Sequence, residues 1–310
     1  MCVLLCASGI AMELDWLEDF VALAEHGNFS RAAEARHVSQ PAFSRRIKAL
    51  EDWIGVALFS RGTQGVTLTV AGDQFRTGAE ETIRRMHQSR SEAREAAGKE
   101  ATTLRFAATH ALSFTFFPRW IRRFDHSTLG TIRLISDHMQ ACEELMLLGE
   151  AQFLLCHHHA DVPSGFPSGQ FRSIAVGEDV LLPLTAVDGD GAPRWRLPGT
   201  KTSPARYLGY SAQSGLGRII AARWAHEACA MAFETVFTSH LAAALLSMAR
   251  DGGGIAWLPQ SLAEQDIKDG RLVRAGGASF DIPLEIRLFR PHARQSRAAE
   301  ALWESVSRAC

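Results

Sequence analysis

Residues 39–54 (SQPAFSRRIKALEDWI) constrain the chain more than any other stretch. Phe43, Ile47, Leu50 and Ile54 recur at the spacing of one buried helical stripe. Pro41 falls in the first turn, where a missing N–H matters little, and Ser39 is the candidate cap. With the stripe inward, Gln40, Ser44, Arg45 and Lys48 share the outer face, and Arg46 lies beside them. Arg pairs with guanine O6 and N7, and Gln with adenine N6 and N7, so this face suits a helix laid in a major groove.

The flanking chain supplies a scaffold for such a helix. Leu14, Leu17, Val21 and Ala24, widened by Phe20 and Leu23, predict a first helix that Gly27-Asn28 ends. Ser30 is expected to cap a second helix packed through Ala32, Ala33 and Ala35, with a break at His37-Val38. Residues 56–59 and 65–69 are expected as the two strands of a hairpin wing, with Arg61 placed to touch a phosphate. Between residues 26 and 62, six basic side chains (Arg31, Arg36, Arg45, Arg46, Lys48, Arg61) outnumber three acidic ones (Glu34, Glu51, Asp52). The whole chain carries 33 Lys and Arg against 34 Asp and Glu, which rules out a general positive coat but leaves room for this local patch. Ser39, Gln40, Pro41, Ser44, Arg45, Lys48 and Arg61 are the candidate contacts to a double-stranded DNA operator.

Four runs extend the reading: Asn28-Phe29-Ser30-x-Ala32-Ala33; Val38-Ser39-Gln40-Pro41-Ala42-Phe43-Ser44-Arg45-x-Ile47-x-x-Leu50-Glu51; Gly55-x-x-Leu58-Phe59-x-Arg61; and Leu68-Thr69-x-x-Gly72. Together they resemble the LysR-type transcriptional regulators. Thr63-Gln64 stand where that family often has a second wing arginine, which weakens the wing's hold on the DNA backbone. The resemblance implies a winged helix-turn-helix, a linker helix, and a two-lobed α/β sensor domain like a periplasmic binding protein.

Residues 71–97 read as the linker helix. Phe75, Ala79, Thr82, Met86 and Ala93 form a narrow seam suited to a second copy, and one winged helix covers only a half-site. A homodimer is expected, and the resemblance implies homodimers or homotetramers. Gly98 ends the helix, and Lys99 to Thr103 serve as a hinge. Strands and helices then alternate, which predicts a parallel sheet covered on both faces. The expected divisions are a tail at 1–11, the DNA-binding domain at 12–70, linker and hinge at 71–100, and a sensor at 101–310. Lobe I is placed at about 101–175 plus 278–310, and lobe II at about 176–277. Residues 1–11 fail as a signal peptide because no positive residue precedes a short apolar stretch, so Met12 is read as the functional start.

Ligands of open α/β sheets sit beyond the carboxyl ends of strands. That picks out Thr109, His110 and Ser113, then His157, then Tyr210 and Ser211, then Ser239 (a candidate cap) and His240, with Trp257 near the lobe crossing. Many family members have a serine where Ala111 stands, so an ordinary carboxylate effector is not indicated. Residues 156–159 (CHHH) do not make a metal site, because neighbours on a strand point to opposite faces. No cofactor or metal is expected. Scattered cysteines without CxxC spacing fit a reducing cytoplasm, and no run is long and apolar enough to span a membrane.

Residues 40–47 (QPAFSRRI), Tyr210-Ser211 with Gly217-Arg218, and residues 254–259 (GIAWLP) most resemble the hypochlorite-responsive members of the family. The signal is therefore read as a small-molecule effector or such an oxidant, with Met139, Met146, Met231, Met248, Cys142, Cys156 and Cys229 as candidate sulfurs. Leu216 and His240 stand where that subgroup's redox methionines are sought. RNA polymerase is a further candidate partner. The rival class is an enzyme or a solute-binding protein. Ser214 lacks the leading glycine of a nucleophile elbow, Gly215-Leu216-Gly217 lacks the third glycine of a dinucleotide loop, and neither HExxH nor GKS/T occurs.

Overall fold

The computed structural model describes residues 12–62, 65–97, 103–124, 129–167, 169–200, 202–226 and 232–309, apart from the side chains of Arg61, Ser91, Glu95, Ala96, Ala225 and His226. The tail, Thr63-Gln64, most of the hinge, Cys229 and Met231 thus lie outside the described residues. The chain divides into two compact units, residues 1–91 with 147–149, and residues 92–146 with 150–310.

The first unit holds α1 (Leu14–His26), α2 (Phe29–Ala35), α3 (Gln40–Ile54), β1 (Phe59–Gly62), β2 (Gly65–Leu68) and α4 (Val70–Ala96). Gly27 closes α1 in the left-handed region at φ 58°, where glycine alone is unstrained. Asn28, not Ser30, caps α2: its Oδ1 accepts from the Ser30 and Arg31 N–H groups. Ser39 occupies the N-cap position of α3 without a side-chain cap bond. Phe43, Ile47 and Leu50 are buried as the stripe required, beside Trp16, Leu17 and Phe20 of α1. The wing is shorter than expected, beginning at Phe59 and pairing it with Leu68. Glu51 Oε1 accepts from Leu58 N and Phe59 N, at 2.8 and 3.1 Å, so the end of α3 fixes the wing's base.

The linker seam divides between two faces. Ala79 and Ile83 are buried, and Phe75 meets Phe20 edge-on at 5.2 Å, so this face of α4 belongs to the unit's own core. Thr82, Met86 and Ala93 are exposed on other faces.

In the second unit the strands are β3 (Thr103–Thr109), β4 (Thr131–Asp137), β5 (Phe153–His158), β6 (Phe171–Ala186), β7 (Ala205–Tyr210), β8 (Phe233–Ser239), β9 (Ala256–Pro259), β10 (Leu272–Arg274) and β11 (Ile282–Pro291). The helices are α5 (His110–Thr115), α6 (Phe117–Ile121), α7 (Met139–Leu147), α8 (Gly215–His226), α9 (Ala242–Arg250), α10 (Gln260–Lys268) and α11 (Arg297–Ala309).

The sheet is mixed, not parallel throughout. One sheet runs in the order β10-β6-β11-β5-β3-β4, with β9 also on β6, and β7 pairs with β8 separately. β3 is parallel to β4 and β5, whereas β11 is antiparallel to both β5 and β6. A parallel return would need a crossover helix, and the described part of 159–170 contains none. β6 spans 16 residues. Its first part pairs with β11 (Phe171 opposite Pro291), and its last part pairs with β9 and β10 (Leu184 opposite Ala256, Ala186 opposite Leu272). One lobe packs Phe106, Trp120, Phe153, Leu288 and Trp303; the other packs Leu181, Tyr207, Ile219, Trp257 and Leu284.

Gly72 explains the end of the sequence signature. Thr69 Oγ1 accepts from Gly72 N and donates to Ala57 O, seating the start of α4 on the wing. A Cβ on Gly72 would lie 2.1 Å from the Leu58 carbonyl oxygen. Gly72→Ala is expected to destabilise the first unit by about 1–3 kcal/mol through this overlap. Gly78→Ala, in open space on the same helix, is expected to be neutral or to stabilise by up to about 1 kcal/mol. Urea unfolding of both variants checks the contrast.

Candidate functional site

The first candidate surface is the open face of α3. Gln40, Pro41, Arg45 and Lys48 are exposed and Ser44 is half-buried. All five line one groove of about 720 Å³ together with Phe29 and Asp52. Among the described residues, Gln40, Ser44, Arg45 and Lys48 have no side-chain partner. Their hydrogen-bonding groups are thus presented outward. Ser39 is exposed at the helix start. Arg61 lies on β1 opposite Val66, and its side chain is outside the described residues.

The basic excess seen in the sequence is partly cancelled by α1. Arg36 pairs with Glu18 and, at 3.0 Å, with Asp19. Arg46 reaches Asp19 at 3.4 Å and Asp15 at 3.6 Å. Asp19 is fully buried between the two guanidinium groups. The acids that hold Arg36 and Arg46 precede residue 26, outside the window in which charges were counted. Arg45 and Lys48 are left to present free charge from α3.

The second candidate is a cleft inside the second unit. It encloses about 30 Å³ and is lined by Thr109, His110, Ala111, Asp137, His138, Met139, His157, Ser214, Gly215, Leu216, His240 and Ala242. Room on this scale suits one or two water-sized species. The starts of α5, α7, α8 and α9 converge on it, as sheet topology requires.

Three imidazoles dominate the lining. His240 lies 5.8 Å from His110 and 5.6 Å from His138, ring centre to ring centre. Hydroxyl bonding sets the His110 tautomer. Ser113 Oγ donates to His110 O at 2.7 Å, and Ser136 Oγ donates to Ser113 Oγ at 2.9 Å. Ser136 Oγ can therefore only accept from His110 Nδ1, 3.0 Å away, which leaves Nε2 as the bare nitrogen. His138 is the reverse case: its Nδ1 accepts from Ala141 N at 3.1 Å. Burial depresses the His110 pKa, Asp137 opposes that, and His240 and His138 depress it further.

The remaining expected contacts divide by position. His157 lines the cleft and is bonded behind it, its Nε2 lying 3.1 Å from Asp179 Oδ2. Asp179 in turn accepts from Ser261 Oγ at 2.6 Å and Ser261 N at 3.1 Å, so β5, β6 and α10 meet at one buried carboxylate. Burial works against its charge, but the bonds from His157, Ser261 and Val180 prevail and hold Asp179 below the usual carboxylate range. The Thr109 and Ser211 hydroxyl oxygens are buried without a hydrogen-bond partner among the described residues. Ser239 Oγ accepts from Leu241 N, in the turn before α9 rather than as its N-cap. Tyr210 and Trp257 belong to the lobe core: the phenol donates to Trp257 O and the indole N–H to Phe280 O. Asp137 and His138, the last residue of β4 and the one after it, were missed, although the strand-end rule that found His110 covers them too.

The candidate sulfurs also divide. Cys142 and Cys156 are buried, and burial pushes the Cys142 thiol up to about 12 and that of Cys156 higher still. Neither is a reactive thiolate near neutral pH. Met146 is fully buried, Met248 half-buried, and Met139 lines the cleft.

Comparison with known proteins adds the following. Residues 14–73 match the family described as bacterial regulatory helix-turn-helix protein, lysR family, and residues 97–310 match the LysR substrate binding domain. HTH-type transcriptional regulator YjiE of Escherichia coli K12 is 32% identical over 295 residues, 95% of this chain and 94% of that one. The full-length structure of HypT from Salmonella typhimurium, described as a hypochlorite-specific LysR-type transcriptional regulator, aligns with a TM-score of 0.58 at 31% identity, covering 96% of this chain and 99% of that one. The bromide-bound regulatory domain of HypT aligns with a TM-score of 0.56 at 28% identity, covering 66% and 94%.

Asp179→Asn is expected to lower stability at pH 7 by about 1–3 kcal/mol, because charge-assisted bonds to buried partners are lost. A carboxylate held below its ordinary pKa stabilises the fold above that ordinary value, and the contribution fades as pH falls through the lowered one. The gap between variant and parent should therefore hold from pH 7 down to about pH 5 and narrow as pH falls below about 4 in urea unfolding; a gap that stays constant down to about pH 2 would remove charge as its source.

Proposed function

The chain belongs to the LysR family of bacterial helix-turn-helix regulators, and on that premise we propose how it reads DNA and what it senses. It is a DNA-binding transcriptional regulator with an effector-binding domain, which removes the enzyme and solute-carrier alternatives. In this reading α3 enters the major groove. Arg45 and Gln40 read base edges, Ser39, Ser44 and Lys48 fix the register, and Arg61 of the wing holds a phosphate. The outward, unpartnered set Gln40, Ser44, Arg45 and Lys48 on one face is the observation that carries it. A homo-oligomer places two such helices about 34 Å apart, or a multiple of that, on a partly palindromic operator.

The sensed species is small and inorganic, an oxidant such as hypochlorite. Three features support this: the cleft's volume of about 30 Å³, a lining without a hydroxyl at Ala111, and the likeness to a regulator described as hypochlorite-specific. An aromatic or aliphatic carboxylate is too large for that space. Occupancy favours one arrangement of the lobes and can shift it only by binding the two arrangements unequally. The changed arrangement alters the spacing of the DNA-reading helices and their contact with RNA polymerase.

Arg45→Ala should weaken binding to the chain's own upstream DNA by about 1–3 kcal/mol and relax sequence preference at one position. Arg61→Ala should weaken binding to every sequence and reduce the salt slope by about one. Quantitative gel shifts on specific and scrambled duplexes at several salt concentrations separate the two. Hypochlorite added to the parent should change operator affinity or the footprint; an unchanged footprint would remove the oxidant from the proposal.

A further inference from the structure

The two oxygens of Asp19, a fully buried side chain of α1, serve opposite sides of the turn that joins α2 to α3. Oδ1 accepts from Arg36 Nε at 3.0 Å, at the C-cap of α2. Oδ2 lies 3.4 Å from Arg46 Nη1, on the second turn of α3. One carboxylate thus grips the chain before and after residues 37–39. The turn itself is not relaxed. His37 is exposed and sits in the left-handed region at φ 53°, which a residue with a side chain adopts at some cost. Apolar contact also joins the helices, with Phe29 meeting Phe43 edge-on at 6.1 Å. Such contact is non-directional, whereas two ion pairs on one carboxylate fix an angle.

Neighbouring acids anchor this clamp. Glu18 pairs with Arg36 through Oε2, and its Oε1 lies 3.0 Å from His87 Nε2 of α4. Asp15 lies 3.6 Å from Arg46 Nη2. Asp15, Glu18 and Asp19 of α1 therefore receive one side chain each from α2, α3 and α4. Burial works against the Arg36 charge, but the bonds to Asp19 and Glu18 prevail and hold its pKa above the ordinary value. Arg45 and Arg46 are adjacent in sequence and part in space: Arg45 lines the open groove, and Arg46 turns back to α1.

We propose that Asp19 is a positioning residue for base reading: by holding Arg36 and Arg46 it fixes the angle of α3, and Arg46 serves that clamp rather than touching DNA. This rests on α3 entering the major groove and deepens that reading. Arg45 and Gln40 pair with base edges only when the helix sets them to within about 0.5 Å. Attraction to phosphates is sequence-independent and tolerates a looser helix. Loss of the clamp therefore removes discrimination between sequences and leaves the general attraction in place.

The test is quantitative gel shifts of the full-length protein on the chain's own upstream DNA and on a scrambled duplex of equal length, at several salt concentrations. The ratio of the two Kd values measures reading, and the salt slope counts phosphate contacts. Asp19→Asn keeps the shape but turns an amide N–H group toward a guanidinium. We expect its ratio to fall by about tenfold, the scale of one lost base contact, with the scrambled-duplex Kd and the salt slope unchanged. Arg46→Gln should do the same, and Arg46→Lys, which keeps a charge for Asp19, should regain most of the loss. Ile83→Val trims a buried core side chain of α4 away from the clamp and should keep the parent ratio. Urea unfolding checks that each variant is folded under assay conditions; if Asp19→Asn is not, the two Arg46 variants decide.

An unchanged ratio in folded Asp19→Asn would overturn the proposal. So would an Arg46→Gln that binds every duplex more weakly with a salt slope reduced by about one, because Arg46 would then be a phosphate contact. An Arg46→Lys that regains nothing, or an Ile83→Val that loses as much as Asp19→Asn, would overturn it as well. Arg45→Ala keeps the two levels apart. If it loses sequence preference while Asp19→Asn retains it, only this inference falls. If Arg45→Ala also retains preference, the reading of α3 as the base-contacting helix falls with it.

Discussion

The antiparallel pairing of β6 with β11 is the constraint on which the sensor depends. These two strands run side by side from Phe171 opposite Pro291 to Leu181 opposite Ile282, with one irregularity beside Ile286. β5 attaches to β11 on one side, and β9 and β10 attach to β6 on the other. The lobes are therefore parts of one hydrogen-bonded surface rather than two bodies on a tether. Relative movement must be absorbed by bending at the strand crossing, where Asp179 collects His157 from β5 and Ser261 from α10. A group in the cleft touches this crossing through a single imidazole.

Much of the first unit was legible because its signals are local. The α3 stripe of Phe43, Ile47 and Leu50 follows from helical period alone, and the same period places Gln40, Arg45 and Lys48 outward. What failed there also had physical causes. A cap must present an acceptor to free N–H groups, and Asn28 reaches them two residues before the serine that composition favoured. Two seam positions, Phe75 and Ala79, lie in the unit's own core, because the sequence cannot say that α1 covers them.

The sensor was legible in class and less so in pairing. Alternating strands and helices identify an α/β sheet, but the antiparallel course of β6 depends on residues more than a hundred positions apart. The cleft histidines divide in the same way. His110, His157 and His240 were found by the rule that ligands gather at strand ends, whereas Tyr210 and Trp257 satisfy that rule and still point into the core. Burial is a property of the packed neighbours, and no local pattern reports it.

Cys142 and Cys156 give the sensor a particular deafness. Both thiols are enclosed, and Cys142 sits close enough to Asp137 for that carboxylate to hinder its ionisation further. Electrophiles that hunt for thiolates, such as iodoacetamide or a quinone, therefore pass these two positions by while the lobe is intact. Alkylation at either one marks a molecule whose interior has come apart, so the pair acts as a built-in recorder of lost packing rather than as an ear for chemical stress.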